Sequence, residues 1–203
     1  GDFYDVFNLP GEQIGLVIGD VCDKGLGAAL LMTLFRSFVR AMSSVDYYAR
    51  HASGAEDSPA RRLENAITLT NNYIAETHGD AGMFATIFLG ILNTGTGVLT
   101  YINGGHIPPL LIHKEGIKET LPPTGSAIGA VLDAKYAIRE TTIQSGETLF
   151  AYTDGLTDAS NPAGEYFDEE LLLPLLTGVV DVRTLLANVQ ARLADFTDCS
   201  ACS

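Results

Sequence analysis

"MFATIFLGILNTGTGVLTYIN", residues 83–103, decides the fold. Two apolar runs rich in β-branched and aromatic residues flank "NTGTG" at 93–97, a cluster of turn formers. A connection this short joins only antiparallel strands, because a parallel pair needs a crossover of about a dozen residues or more. Outward from this hairpin, Gly and Pro punctuate further apolar runs at 110–113, 137–143 and 148–152, each read as a strand. Towards the N-terminus, residues 12–19 form another strand, apolar on both faces. Helical periodicity takes over from Leu26, where Ala28, Leu31, Phe35, Phe38, Val39 and Met42 recur on one side. Residues 43–60 read as a loop. Pro59 opens a second helix to about Thr77, turning Leu63, Ile67 and Ile74 inward. The chain ends helical, at roughly 168–176 and 181–196. Helices flank a block of antiparallel strands and do not alternate with them, which excludes a doubly wound parallel sheet and predicts a layered α+β domain.

Composition narrows the function. The 203 residues are 46% hydrophobic and 18% charged, enough apolar material for one globular core. No apolar run reaches the roughly 18 residues of a membrane span, and none has the build of a signal peptide. Twenty-five acidic against 12 basic side chains give a net charge of −13. Such a body repels nucleic acid and anionic lipid, so neither is an expected partner. Three cysteines do not make a disulfide scaffold, which points to a reducing cytoplasm. The C-x-x-C of Cys199 and Cys202 has no strand–helix context and reads as an incidental tail.

"LVIGDVCDKGLGAALLM", residues 16–32, carries the chemistry. A glycine-rich turn between strand and helix ordinarily suits a phosphate. Here Leu30 stands where a dinucleotide fingerprint needs its third Gly, no G-K-[ST] follows, and Asp20 and Asp23 would oppose an anion. A cysteine phosphatase is excluded too, since Ala28 lies six places after Cys22 where an Arg is required. No D-x-D of an aspartyl-phosphate enzyme follows Asp20 or Asp154.

The acids suit a cation better. Asp2 and Asp5 sit at the head of an apolar strand, Asp20 follows a buried one, and Asp154 ends the strand of "TLFAYTDG". An unpaired buried carboxylate costs several kcal/mol or more, a cost that a shared divalent cation removes. Oxygen donors with no His or Cys cluster favour Mg²⁺ or Mn²⁺ over zinc. Strand-end aspartates also cap turns and helices, and the residues alone leave that reading open.

"GDFYDVF", "IGDVCDKGLGAALLM", "FATIFLGIL", "YINGGHIPPLLI", "PTGSAIGA" and "LFAYTDGLTDASN" together resemble the successive blocks of the SpoIIE-like branch of metal-dependent Ser/Thr phosphatases (type 2C, PPM). They follow the family's order over nearly the whole chain. The resemblance implies a four-layer α-β-β-α sandwich, with two antiparallel sheets between helical layers. It implies two Mn²⁺ or Mg²⁺ ions that activate a water for attack on a phosphoserine or phosphothreonine. Asp20 matches the residue that bridges both ions, and Val21 the position lending a backbone carbonyl. Asp2 and Asp154 match ligands of the second ion. The helix from Leu26 matches one tied to assembly of the metal site. Asp5, Asp23 and Lys24 match supporting or turn-forming positions, and His106 a residue tying down its turn.

The implied substrate is a small phosphorylated regulator, an anti-sigma-factor antagonist (anti-anti-sigma factor) with a STAS fold, and an upstream sensor domain is implied in the full-length protein. A homodimer is left open. The chain departs from the family in lacking its closing Asp-Asp-x-Thr block, and it begins inside the first motif. Both ends read as trimmed from a single catalytic domain, 1–203. Neither Asp195 nor Asp198 is flanked like the missing block. That departure keeps alive a second class of function, a catalytically degenerate phosphatase fold used for signalling or binding.

Overall fold

The computed structural model describes residues 1–22, 32–33, 36–37, 40–41, 58–79, 82–178 and 181–197. The chain divides into two compact units, residues 1–108 with 122–143, and residues 109–121 with 144–203.

The first unit is built on a five-stranded antiparallel sheet. Its strands are β1 (Asp2–Leu9), β2 (Gln13–Val21), β3 (Ala85–Asn93), β4 (Val98–Gly104) and β7 (Arg139–Thr142), in the spatial order β1-β2-β3-β4-β7. The β3–β4 turn forms as its composition requires. The Asn93 side-chain oxygen accepts from the Gly95 and Thr96 amides, both at 3.0 Å, and Gly97 adopts a φ of 74°.

Alternation along β1 and β2 sends Phe3, Phe7, Leu9, Val17 and Val21 to one face. Against that face packs α1 (Pro59–His78), through Leu63, Ala66, Ile67 and Ile74. The helix starts where expected. Ser58 Oγ accepts from the Arg61 amide at 3.3 Å, and Pro59 occupies the first turn, where its missing N–H goes unmissed. Each of Leu63, Ile67 and Ile74 is at most 1% exposed, and burying such a side chain contributes about 1.5–3 kcal/mol.

The second unit carries a three-stranded antiparallel sheet, β6 (Gly116–Thr120), β5 (Leu110–His113) and β8 (Thr148–Phe150), in the order β6-β5-β8. Among the described residues three helices accompany it: α2 (Asp154–Thr157), α3 (Glu169–Leu172), which continues as a 3₁₀ turn over Leu173–Leu176, and α4 (Val182–Thr197). Leu111, Phe167, Leu172, Leu176, Leu185 and Val189 are buried here. The fold is thus α+β with two antiparallel sheets and helices.

Several expectations need correction. The strand expected over 148–152 ends at Phe150, so Asp154 does not close a strand; it opens α2, with Thr153 as N-cap. β8 pairs with β5 only as far as Leu110↔Phe150. The next ladder position belongs to Pro109, which has no N–H to offer. The strand expected over 137–143 is shorter, because the Ala137 amide donates instead to the Thr124 carbonyl. Of the helix expected from Leu26, Met32, Thr33, Arg36, Ser37, Arg40 and Ala41 are helical and the remainder lies outside the described residues. Asp23, Lys24, Asp198, Cys199 and Cys202 lie outside them as well.

Candidate metal centre

Register brings Asp2 and Asp20 together. They are direct partners across the β1–β2 pair and project from the face opposite the α1 core. A carboxylate oxygen of one lies within 4.8 Å of an oxygen of the other. Asp2 is exposed, and the Asp20 side chain keeps 26% of its surface. Two glycines set the spacing. A Cβ at Gly19 would stand 2.7 Å from the Thr86 carbonyl oxygen and 2.9 Å from the Phe3 ring, and one at Gly15 would meet the Phe7 ring at 2.5 Å. Phe3 and Phe7 therefore lie flat across the glycines that pair with them, drawing β1 tightly onto β2.

Val21 closes β2 with its side chain buried. Its carbonyl oxygen is 2.5 Å from the Gly1 nitrogen, which also lies 2.6 Å from Asp20 Oδ1. On the far side of Asp20, the directly opposite residue is Thr86 of β3.

Asp5, three residues from Asp2, has the reverse environment. It is 5% exposed, lies in the middle of β1 and forms no turn. Arg36 Nε and Arg40 Nη2 approach its Oδ2 at 3.1 and 2.9 Å, and both guanidiniums also donate to Oδ1. The hydrogen bond from Arg36, with help from Arg40, outweighs desolvation and holds the Asp5 carboxyl below its ordinary pKa.

Asp154 belongs to the second unit. It is exposed in the first turn of α2, and no side chain caps that helix. Capping falls to other acids. Asp168 Oδ1 accepts from the Leu171 amide at 3.2 Å, and Asp181 accepts from the Thr184 amide at 2.9 Å. The capping alternative thus describes Asp168 and Asp181, whereas Asp2 and Asp20 sit in ladder positions. Hard, solvent-reachable carboxylate oxygens at the end of a rigid sheet fit a divalent cation of the Mg²⁺ or Mn²⁺ kind.

His106 holds its turn and also reaches β3. Its backbone N–H donates to Asn103 Oδ1 at 2.8 Å, and its Nδ1 lies 3.0 Å from Thr86 Oγ1. Sequence reading had passed over Thr86. Pairing "GDV" with "ATI" in antiparallel register would have found it, since that register sets Thr86 opposite Asp20.

Residues 10–201 match the family model described as Stage II sporulation protein E (SpoIIE). Protein IcfG of Synechocystis sp. (strain ATCC 27184 / PCC 6803 / Kazusa) is 42% identical over 202 residues, covering 93% of this chain and 32% of IcfG. Phosphoserine phosphatase RsbU of Bacillus subtilis (strain 168) is 28% identical over 165 residues, covering 81% of this chain and 44% of RsbU. The chain thus spans about a third to under a half of these relatives. Among solved structures, the SiaA-PP2C domain of Pseudomonas aeruginosa superposes with a TM-score of 0.72 at 19% identity, over 98% of this chain and 75% of that one. RsbX in complex with magnesium gives 0.64 at 17% identity, over 94% and 79%. The arrangement of strands and helices is accordingly that of a PP2C-type phosphatase domain.

Proposed function

Because the chain belongs to the SpoIIE family of PP2C-type serine/threonine phosphatases, we propose that it hydrolyses phosphoserine or phosphothreonine on a small regulatory protein, with two divalent cations held by Asp2, Asp20, Val21 and Asp154. The observation that carries this reading is the apposition of Asp2 and Asp20 across the β1–β2 ladder. Asp20, in the penultimate position of β2 and flanked by strands on both sides, offers the more rigid carboxylate and is assigned the bridging role. Asp2 supplies oxygens from the edge strand, Val21 its carbonyl, and Asp154 joins them by its place in the "TDG" block.

When bound, the cations supply an activated water and neutralise phosphate oxygens as charge builds in the transition state. The chain's own residues fix where that happens. The β1–β2–β3 ladder holds the carboxylates still, so little reorganisation is left for the reaction itself. Their clustered negative charge would repel a phosphoester until cations reverse the local sign, which makes turnover strictly cation-dependent. A STAS-type antagonist of an anti-sigma factor is the proposed class of substrate, supported by the match to a phosphoserine phosphatase, RsbU.

The test is calorimetric titration of Mn²⁺ into the full-length protein, beside hydrolysis of p-nitrophenyl phosphate and of a phosphoserine-bearing STAS protein. Heat of binding with Mn²⁺-dependent turnover is the expected result. Absence of both overturns the assignment in favour of a binding module.

A further inference from the structure

Asp2, Asp20 and Thr86 form one row across three adjacent strands, since Asp2 pairs with Asp20 and Asp20 with Thr86. Directly opposite residues share a face, with Cβ atoms about 4.5–5.5 Å apart. Thr86 therefore stands half-buried on the Asp20 side of the sheet, its directly opposite neighbour in the row. Behind it is His106, 2% exposed, with Nδ1 at 3.0 Å from the Thr86 hydroxyl.

The turn that carries His106 is held from several directions. Its amide is pinned by Asn103 Oδ1, and Asn103 is itself fully buried. The Asn103 carbonyl accepts from the Thr124 amide at 2.7 Å, while Thr124 Oγ1 accepts from the Asn103 amide at 3.0 Å. A parallel bridge between Ile87 and Gly105 lays the turn alongside β3, next to Thr86. An imidazole built this deeply into a packed turn, with one nitrogen aimed at a hydroxyl in the acid row, amounts to more than a loop tether.

A hydroxyl has one hydrogen to give and lone pairs to receive. A carboxylate only accepts. If the imidazole donates to Thr86, the hydroxyl hydrogen is released to point at Asp20. We propose that His106 and Thr86 are positioning residues for Asp20: His106 Nδ1–H donates to Thr86 Oγ1, and Thr86 Oγ1–H donates to one Asp20 carboxylate oxygen. This orients the remaining lone pairs of Asp20 towards a divalent cation. The relay rests on the proposed role of Asp20 as a metal ligand. Outer partners of this kind fix the orientation of a ligand, and removing one typically costs about 10–100-fold in metal affinity.

The experiment measures Mn²⁺ affinity by calorimetry, and kcat and KM for p-nitrophenyl phosphate at several Mn²⁺ concentrations, on full-length variants. Thr86→Val keeps the side-chain shape without the hydroxyl, and is expected to weaken Mn²⁺ binding by about 10–100-fold. High Mn²⁺ should restore its kcat with KM for the phosphoester unchanged. Thr86→Ser, which keeps the hydroxyl, should bind Mn²⁺ like the parent. His106→Asn places an amide donor near the Nδ1 position and should outperform His106→Ala. The double variant Thr86→Val/His106→Ala should bind no more weakly than Thr86→Val alone, since both remove one chain of hydrogen bonds. A denaturant midpoint for each variant separates loss of fold from loss of affinity, and the near-isosteric Thr86→Val keeps the test decisive if His106→Ala does not fold.

Parental Mn²⁺ affinity in Thr86→Val, or equal damage from Thr86→Ser, overturns the relay. Asp20→Asn separates the two levels. If it loses Mn²⁺ while Thr86→Val does not, only the relay fails. If Asp20→Asn itself still binds Mn²⁺ like the parent, the metal assignment fails and takes the relay with it.

Discussion

Asp2 and Asp5 lie three residues apart on one strand, in the single motif "GDFYD", and their surroundings are opposite. Asp5 points into the face covered by the core, is nearly inaccessible, and meets two guanidiniums. Asp2 points to the other face, is exposed, and meets a second acid, Asp20. The strand turns one carboxylate into its covered face and the other out of it, and the pleat alone decides which is which. Odd separation on a strand means opposite faces. An acid answered by two arginines has had its charge settled by the fold, whereas Asp2 and Asp20 set two carboxylates close enough together to share a cation.

If that contrast is right, the largest effect belongs to Asp20→Asn. Turnover of p-nitrophenyl phosphate should fall by more than the ~100-fold upper range for outer-shell changes. The thermal midpoint should hold or rise slightly, because one member of a like-charged pair is neutralised. Substantial Mn²⁺-dependent activity in this variant would erase the distinction between the two acids.

Asp5→Ala should do the reverse, lowering stability while Mn²⁺ affinity survives. We expect a loss of about 1–2 kcal/mol by denaturant unfolding. That falls below the ~3–5 kcal/mol of a fully buried pair, because Arg36 and Arg40 are each about half exposed and water screens them. Acid should expose the same interaction. The Asp5 carboxyl is held below its ordinary pKa by the Arg36 hydrogen bond, so in the folded state it resists protonation longer than in the unfolded chain. Its contribution is therefore complete above the unfolded value near 3.8 and is lost as pH falls through the folded one. The parent should lose stability more steeply than Asp5→Ala below about pH 4, as unfolding curves over that range would show.

The same contrast explains what could be read from the sequence. The β3–β4 hairpin and α1 announce themselves through local rules: an Asn-Thr-Gly-Thr-Gly turn between apolar runs, and Ser-Pro ahead of a 3.6-residue period. Asp20 stands out because an acid directly after a buried run is costly. Four features needed tertiary information. β6 is short, with only Gly116 buried along it, so no alternation marks it. Asp154 reads as strand-terminal because "TLFAYTD" is continuous in composition, and the proline that stops the ladder lies 45 positions earlier, on the partner strand. Asp5 looked like a companion of the site because its motif is contiguous, yet its arginines come from residues 36 and 40, whose approach no local pattern encodes. Thr86 was missed for the same reason, since its meaning comes from register with Asp20.

The smallest expected effect separates the two arginines that answer Asp5. Arg40 also lies over the Phe7 ring, its guanidinium carbon 5.0 Å from the centroid, and Phe7 follows Asp5 by two residues on the same buried face. Arg40→Gln gives up ion pair and ring contact together, and an exposed cation–π contact contributes about 0.5–1 kcal/mol. Arg40→Lys keeps the charge but gives up the planar stacking surface, so it should recover part of that loss and not all of it. In an Asp5→Ala background the ring contact survives, and Arg40→Gln should still lower the denaturant midpoint there. No further loss in that background would mean that Arg40 serves Asp5 alone. The buried side of β1 would then be held to residues 36 and 40 by charge, with no contribution from the aromatic ring beside it.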